Sequence, residues 1–283
     1  MPRLRVRPGS QGFTLTELAI AMVVLAFLLS SAMYMLSAQH DQRDREVTHQ
    51  RLEQARELLL SYAVANGRLP CPARYKDAAN NSAGLEVRDS ATGKCTGAGV
   101  DDYYGGTLSN GYTGGLLPAA TIGFPNVDSS GFAVDAWQNR IRYAVAKQRA
   151  SGTCAITPPA GTILFTNATN LKTYGISCQP DDLLICKSST GITASTCGGA
   201  SNQIMSQSLV VAIVFSTGKN ATSTGGTGAD EAANLNGTGD ADPVFVYHEP
   251  RPSTGTGGEF DDQFAWITIG ELYGRLVSAG VLP

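Results

Sequence analysis

A long apolar run near the start of the chain is interrupted by a single acid. The run extends from Phe13 to Leu36, and Glu17 is the only charged residue among its 24. As a helix rising 1.5 Å per residue it would span roughly 36 Å, enough for a bilayer core of about 30 Å. The pattern therefore predicts a membrane-crossing helix. A carboxylate at that depth is costly and usually functional, which makes Glu17 a candidate site residue.

The pattern of apolar positions changes beyond Leu36. A charged stretch comes first, and apolar residues then recur at spacings of three and four, which is the stripe of an amphipathic helix packed on a domain. No Pro or Gly occurs between Phe13 and Asn66, so we predict one continuous helix that ends at the Asn66-Gly67 pair. The stripe consists of Leu52, Ala55, Leu58, Leu59, Tyr62, Ala63 and Asn66.

The rest of the chain predicts short strands joined by polar loops. Residues 69–125 are rich in Gly, Tyr and Asn without a clear period, which indicates a long connection. Residues 209–215 form a continuous apolar run, expected for a central strand, and residues 269–279 are expected to form a terminal helix. Strands without intervening helices favour an antiparallel sheet. The other predicted strands are 140–145, 162–165, 183–186, 244–247 and 264–267.

All six cysteines follow the apolar run. They are Cys71, Cys95, Cys154, Cys178, Cys186 and Cys197. None forms a CxxC pair, which argues against a zinc knuckle or a redox motif. Their position beyond a membrane segment indicates an oxidising compartment and up to three disulfides, for which fifteen pairings exist. We favour the nearest-neighbour pairs, Cys71–Cys95, Cys154–Cys178 and Cys186–Cys197.

Charge and motifs argue against several function classes. The net charge is −3 and no basic tract occurs, so nucleic-acid binding is not indicated. The chain has no P-loop, no nucleophile elbow and no paired histidines at metal-binding spacing. His248, Glu249 and a serine could in principle form a hydrolytic triad, but no motif in the sequence supports one. We therefore predict that the chain is not an enzyme.

The order of segments at the N-terminus is unusual for a secretory signal. Residues 1–12 carry three Arg and no acid, and the Gly12-Phe13 junction precedes the apolar run. A secretory signal places its apolar region before the cleavage site. Cleavage after Gly12 would instead leave the apolar helix at the new N-terminus. An ordinary signal anchor has the same orientation, with its N-terminus in the cytoplasm, but gives no reason for this junction or for Glu17.

Residues 12–18, GFTLTEL, resemble the processing site of type IV prepilins and type II secretion pseudopilins. The resemblance implies that a prepilin peptidase cuts after Gly12 and methylates Phe13. It also implies that Glu17 guides subunits into a helical filament, and we expect its carboxylate to pair with the Phe13 amine of a neighbouring copy. The implied partners are other pilin or pseudopilin subunits, the prepilin peptidase and the inner-membrane assembly platform.

The same resemblance implies an α+β, pilin-like fold with a long N-terminal α-helix packed on an antiparallel β-sheet head. The expected parts are a cleaved leader (1–12), a transmembrane helix half (13–36), an amphipathic helix half (37–66) and a globular head with disulfide-pinned loops (67–283). The expected location is the bacterial inner membrane, single-pass with a periplasmic head, and then the pilus or pseudopilus.

Two other functions stay open beside a structural, minor filament subunit. One is a minor pilin that acts as a tip adhesin or receptor-binding module, favoured by the large head and its disulfide-pinned loops. The other is an unprocessed, membrane-anchored enzyme, for which no site is visible. Type IV pilus, type II secretion and DNA-uptake filaments are all compatible with the sequence.

A second segment, residues 135–140, is similar to the D-x-W-G-N segment of major type II pseudopilins, with Gln138 where Gly is usual. In those proteins an acidic, Gly-rich loop that follows binds calcium. Lys219 falls where an acid would be expected, so a Gly- and Asn-rich loop without metal is the favoured alternative, and no other cofactor is expected. The calcium candidates are Glu231, Asn234, Asp240 and Asp242.

Overall fold

The computed structural model describes residues 14–74, 83–97, 100–101, 103–104, 106–107, 113–147, 154–156, 158–159, 161–221, 228–235, 243–255 and 257–282. The chain divides into two compact units, Met1–Asp44 and Arg45–Pro283.

The first element is the helix α1, Leu15–Asn66, of 52 residues. It ends as predicted, because Gly67 takes the left-handed conformation (φ 69°) and its amide bonds to the Ala63 carbonyl at 2.8 Å. In the second unit most of its stripe is buried, but Leu58 and Tyr62 are half-buried and Asn66 is exposed. The fully buried positions are Leu52, Ala55, Leu59, Leu60 and Ala63.

Ten strands and four further helices follow within the described residues. The strands are β1 (Thr96–Gly97), β2 (Val100–Asp101), β3 (Gly106–Thr107), β4 (Thr113–Gly114), β5 (Arg142–Val145), β6 (Leu184–Cys186), β7 (Gln203–Met205), β8 (Val210–Ser216), β9 (Val244–Val246) and β10 (Gln263–Thr268). The helices are α2 (Ala119–Ile122), α3 (Ala168–Tyr174), α4 (Ala229–Asn234) and α5 (Ile269–Ser278).

The main sheet is antiparallel, with the strand order β10-β8-β5. Every residue of the central strand β8 is buried, as expected for its continuous apolar sequence. The main core includes this strand and residues of the second half of α1. The α+β class predicted from the sequence is confirmed.

The second three-stranded sheet, β7-β6-β9, departs from the antiparallel prediction because β6 and β9 run parallel. A parallel pair needs a long crossover, and here β7, β8 and α4 lie between the two strands in the sequence. Both strands are fully buried. Their short apolar runs carry no signal of direction, so the sequence predicted the strands and not their pairing.

Residues 162–165 do not form the predicted strand. Ile163, Leu164 and Phe165 are buried, but the segment is irregular and leads into α3, whose first turn is capped by the Asn167 side chain. A short apolar run is ambiguous between a strand and any other buried segment. The helices α2 to α4 were not predicted, since four to seven residues give no reliable period.

Three disulfides link the cysteines as nearest neighbours. Cys71 bonds to Cys95, Cys154 to Cys178, and Cys186 to Cys197. No cysteine is free. The loop closed by Cys154 and Cys178 contains α3. A disulfide stabilises a fold chiefly by restricting the unfolded chain.

Candidate functional site

The start of α1 is built as a capping box. Thr14 precedes the helix, and its hydroxyl accepts a hydrogen bond from the Glu17 amide at 3.3 Å. In return, Glu17 Oε2 accepts from the Thr14 amide at 2.9 Å and from the Thr14 hydroxyl at 2.8 Å. Thr followed three residues later by Glu is the sequence signature of this cap, a signal that our prediction did not use. Glu17 therefore helps to start the helix.

The first described turns of α1 expose an apolar surface. Every described side chain from Thr14 to Ser30 is exposed, and Leu15 and Phe27 expose 86% and 74% of their surface. A helix that is apolar on all sides is normally covered by lipid or by other protein. The large exposed side chains are Leu15, Leu18, Ile20, Met22, Val23, Val24, Leu25, Phe27, Leu28 and Leu29.

Within the part of the chain that the structure describes, no helix is both long enough and apolar enough to cross a membrane. The assignment of residues 13–36 as a transmembrane segment is not supported by that finding and stays a prediction. The predicted cleavage and methylation site, Gly12 and Phe13, lies outside the described residues.

Three buried carboxylates meet near the start of β10. Glu231, from α4, and Asp261 and Asp262, directly before the strand, offer oxygens that all lie within 4.8 Å of one another. All three residues are at most 3% exposed. The antiparallel pairing of β8 with β10 places this pair of acids beside the residues that follow β8: the Lys219 amide donates to Asp261 Oδ2 at 2.9 Å.

Part of this acidic cluster has hydrogen bonds and part has none. Glu231 Oε1 accepts from the Asp261 amide at 2.8 Å, and Asn220 Nδ2 donates to Glu231 Oε2 at 3.1 Å. In contrast, Oδ1 of Asp261, Oδ1 of Asp262 and Oδ1 of Asn220 are buried without a hydrogen-bond partner among the described residues. Orphaned buried oxygens of this kind are rare in folded proteins and call for an explanation such as an ion.

The electrostatics of the cluster disfavour three bare charges. Burial raises the pKa of Asp261 to about 6 and raises the pKa of Asp262 well above its ordinary range. Gly218 lies against the cluster so closely that a Cβ there would come within 1.8 Å of Asp261 Oδ1. The donors are all hard oxygens in a tight, buried cradle, which is the ligand chemistry that Ca²⁺ prefers.

The predicted calcium candidates are only partly brought together here. Glu231 lies in the cluster. Asn234 touches it, donating to Asp262 Oδ2 at 2.7 Å, but its own oxygen accepts from the Val246 amide at 2.7 Å. Asp240 and Asp242 lie outside the described residues. Sequence reasoning missed Asp261 and Asp262, although two adjacent acids directly before an apolar strand are a visible signal.

A profile described as the prokaryotic N-terminal methylation motif matches residues 7–33. The match contains the Gly12-Phe13 junction, Glu17 and the exposed apolar turns of α1. The chain carries the type IV pilin and pseudopilin signature. That signature belongs to structural filament subunits and implies membrane anchoring, processing by prepilin peptidase and assembly with other pilin subunits. Neither the curated proteins nor the solved structures gave a significant match.

The second pseudopilin-like segment forms a turn that connects α1 to the main sheet. Asp135 accepts from the Asn139 amide at 2.8 Å and from the Ser216 hydroxyl at 2.5 Å. Arg51 of α1 donates to the Asp135 carbonyl at 2.6 Å. Gln138 has a φ of 69°, a left-handed conformation that favours glycine. Gly would adopt this conformation without strain, which agrees with the Gly of the D-x-W-G-N pattern that the segment resembles.

Among the described residues, His248 does not contact a serine in the way that a hydrolytic triad requires. His248 Nε2 lies 3.1 Å from Asp230 Oδ2, while Ser189 Oγ donates to Asp230 Oδ1 at 2.6 Å. A serine nucleophile needs to contact its base directly, with the acid behind the base. Here the acid stands between the two, and Arg251 also binds it at 3.0 Å. The arrangement cross-links the segment at 189 to residues 248–251.

Proposed function

We propose that this chain is a filament subunit of the type IV pilin or pseudopilin class, cleaved after Gly12 and assembled through α1. One observation carries the proposal: the methylation motif at residues 7–33 runs directly into a helix segment whose apolar side chains are exposed. Apolar surface of this extent favours burial against lipid or other apolar helices. The subunit would be held in the inner membrane, with its head in the periplasm, before it enters the filament.

In the filament the helices of neighbouring copies would cover the surface that is exposed in one copy. Each subunit offers one surface and receives another, which generates a helical assembly. Both hydrogen bonds that the Glu17 carboxylate accepts end on Oε2, so Oε1 is available for a charged partner. We assign that partner to the methylated Phe13 amine of an adjacent subunit, because burial of a carboxylate demands a compensating charge or proton.

The size of the head favours a minor subunit. A head formed by residues 67–283 with three disulfides is larger than a simple repeating subunit needs. A minor subunit at low copy number can carry a specialised head, including one that binds a receptor. A minor role is distinguished from a major one by shearing filaments from cells and measuring the abundance of this chain relative to the main subunit.

Processing is tested by the intact mass of the protein extracted from membranes of cells with active prepilin peptidase. We expect residues 1–12 to be absent and Phe13 to carry one methyl group. Gly12→Val is expected to retain the leader, whereas Gly9→Val in the same leader serves as the matched control and is expected to be cleaved. Full-length wild-type protein in these membranes would contradict the proposal.

We further propose that the acidic cluster of Glu231, Asp261 and Asp262 holds Ca²⁺. The two orphaned Asp oxygens and the close approach of Gly218 support this assignment. Bound Ca²⁺ would neutralise the buried carboxylates and link α4 to the start of β10. Because an ion that binds only the folded state stabilises it, Ca²⁺ at 100 times its Kd should add about 2.7 kcal/mol to the free energy of unfolding.

The calcium assignment is tested by thermal unfolding of metal-stripped protein with added CaCl₂, MgCl₂ or EDTA, and by calorimetric titration with CaCl₂. We expect Ca²⁺ to raise the Tm and to bind at one site. Asp262→Asn should abolish the Tm increase, whereas Glu249→Gln, an exposed acid outside the cluster, should preserve it. A Tm that does not respond to Ca²⁺ in the wild type would overturn the assignment.

A further inference from the structure

A polar cleft lies in the second unit, next to the Cys186–Cys197 disulfide. Its volume is about 680 Å³, and a second hollow of about 480 Å³ adjoins it, sharing Asp181 and Gln207 in its wall. None of the residues that line either hollow belongs to α1. The space is within the range of small-molecule sites, about 300–1,000 Å³.

The wall of the cleft is polar and nearly uncharged. It presents three carboxamides, those of Gln179, Gln203 and Gln207, with the hydroxyls of Ser195 and other serines. Among the residues that the structure describes in this lining, Asp181 is the only charged one, and none is Lys, Arg or His. The described part of this wall offers no cation to neutralise an anion. Carboxamides and hydroxyls both donate and accept hydrogen bonds, as sugar hydroxyls do.

The rim of the cleft is braced by a disulfide, by two hydrogen bonds and by a glycine in a tight turn. Besides the disulfide, Asn202 Nδ2 donates to the Ser188 and Cys197 carbonyls, each at 2.9 Å. Gly198 has a φ of 77°, and a Cβ there would lie 2.3 Å from the Gly191 carbonyl, so only glycine fits. A rim fixed in this way reduces the entropy lost when a ligand binds.

Several polar groups in the wall have unused hydrogen-bonding capacity. Gln207 Nε2 donates a hydrogen bond to Asp181 Oδ1 at 2.7 Å, which leaves the Gln207 Oε1 available as an acceptor. Within the described residues, the Gln179 carboxamide and the Ser195 hydroxyl form no hydrogen bond to protein, and both are exposed, so a ligand would exchange with water there. These groups are spaced around one hollow and do not satisfy one another.

We propose that this cleft binds a neutral, hydroxyl-rich ligand, an uncharged oligosaccharide. The absence of a described cation from the wall, its donors and acceptors and its braced rim together favour that class over an anion. The inference goes beyond filament assembly and concerns the second unit alone. Failure of filament assembly would leave it standing, and failure of sugar binding would leave the filament proposal standing.

The test uses the mature chain, solubilised in a zwitterionic detergent that contains no sugar, on an array of neutral and anionic oligosaccharides. We expect binding to neutral members, with the strongest then titrated by calorimetry. Gln179→Ala and Gln207→Ala should each weaken binding roughly two- to tenfold, the effect of one lost hydrogen bond. Gln54→Ala, an exposed glutamine on α1, is the matched control and should leave binding unchanged.

A blocking variant separates occupancy of the cleft from a general effect on folding. Ala200 lines the cleft and is exposed, so Ala200→Trp should fill the space and abolish binding while thermal unfolding stays as in the wild type. Absence of any neutral binder, binding confined to anionic members, or undiminished binding by folded Ala200→Trp would each overturn the proposal.

Discussion

Leucine and other large apolar side chains occur in both halves of α1, but they are exposed in the first half and buried in the second. Leu25 and Phe27 expose 55% and 74% of their surface, whereas Leu52 and Leu59 expose none. Both segments form regular helix, so helix formation does not depend on whether the apolar side chains are buried or exposed. The head provides the cover for the second segment. The first segment needs a cover that the described residues of a single copy do not provide.

The free energy available from burying the exposed apolar side chains of α1 is large. Full burial of one Leu or Phe side chain is worth about 1.5–3 kcal/mol. Ten large apolar side chains between Leu15 and Leu29 are exposed. Because these side chains are partly covered already, the free energy still available from burying them is roughly 9–19 kcal/mol, comparable to the stability of a typical domain, about 5–15 kcal/mol. The exposed segment is therefore an interaction surface, and under the proposed function it contacts lipid first and neighbouring helices in the filament afterwards.

The largest expected effect comes from truncating one leucine in each segment. Leu59→Ala should lower the free energy of unfolding of the head by about 2–5 kcal/mol, because it leaves a cavity in the core. Leu25→Ala should change that quantity by less than about 0.5 kcal/mol, yet reduce recovery of the subunit in filaments. Both tryptophans, Trp137 and Trp266, lie in the second unit, so their fluorescence in urea reports head unfolding.

Equal losses of head stability in Leu59→Ala and Leu25→Ala would remove the contrast between the two segments. So would normal filament recovery of several combined alanine variants in the exposed segment.

A second prediction compares two glutamates with different surroundings. Glu86 is largely buried and accepts from Arg68 at 2.6 Å and from the Cys71 amide at 3.0 Å. Burial alone would raise the pKa of Glu86, but these bonds hold it below its ordinary value. Its stabilising effect is therefore present above the unfolded pKa of about 4.3 and is lost as the pH falls through the lowered folded value.

Glu86→Gln should accordingly destabilise the head by about 1–3 kcal/mol at pH 7, measured by urea denaturation. The difference from wild type should shrink as the pH falls below about 4, because wild-type Glu86 then also loses its charge. Glu249→Gln is the control at an exposed acid. A difference that stays constant from pH 7 down to the acid limit would contradict the role of the Glu86 charge.

The smallest expected effect concerns the turn at Gln138. Its positive φ is unfavourable for any residue with a Cβ, so Gln138→Gly relieves strain but adds freedom to the unfolded chain. The two terms oppose each other, and we expect a net gain of no more than about 1 kcal/mol. Gln138→Val should lose stability, since a β-branched residue fits this conformation worst. Loss of stability in Gln138→Gly, by urea denaturation, would contradict the strain.

The sequence predicted the parts that depend on local pattern. The helix α1 and the strand β8 were found because long, uninterrupted patterns leave few alternatives. The parallel pairing of β6 with β9 and the acidic cluster were not found, because both join residues that are distant in the chain. Glu231 and Asp261 are 30 residues apart and meet only through the pairing of β8 with β10. The Thr14 cap was a readable signal that went unused.

The most direct test of the account follows Glu17 from the membrane into the filament. Its two roles, helix cap and charged partner, separate in two variants: Gln preserves a capping box and removes the charge, while Ala removes both. Filaments are sheared from cells, and the chain is quantified in the sheared and membrane fractions. We predict normal membrane levels and reduced filament incorporation for both Glu17→Ala and Glu17→Gln. Normal incorporation of Glu17→Ala would contradict the central claim that this helix start directs assembly.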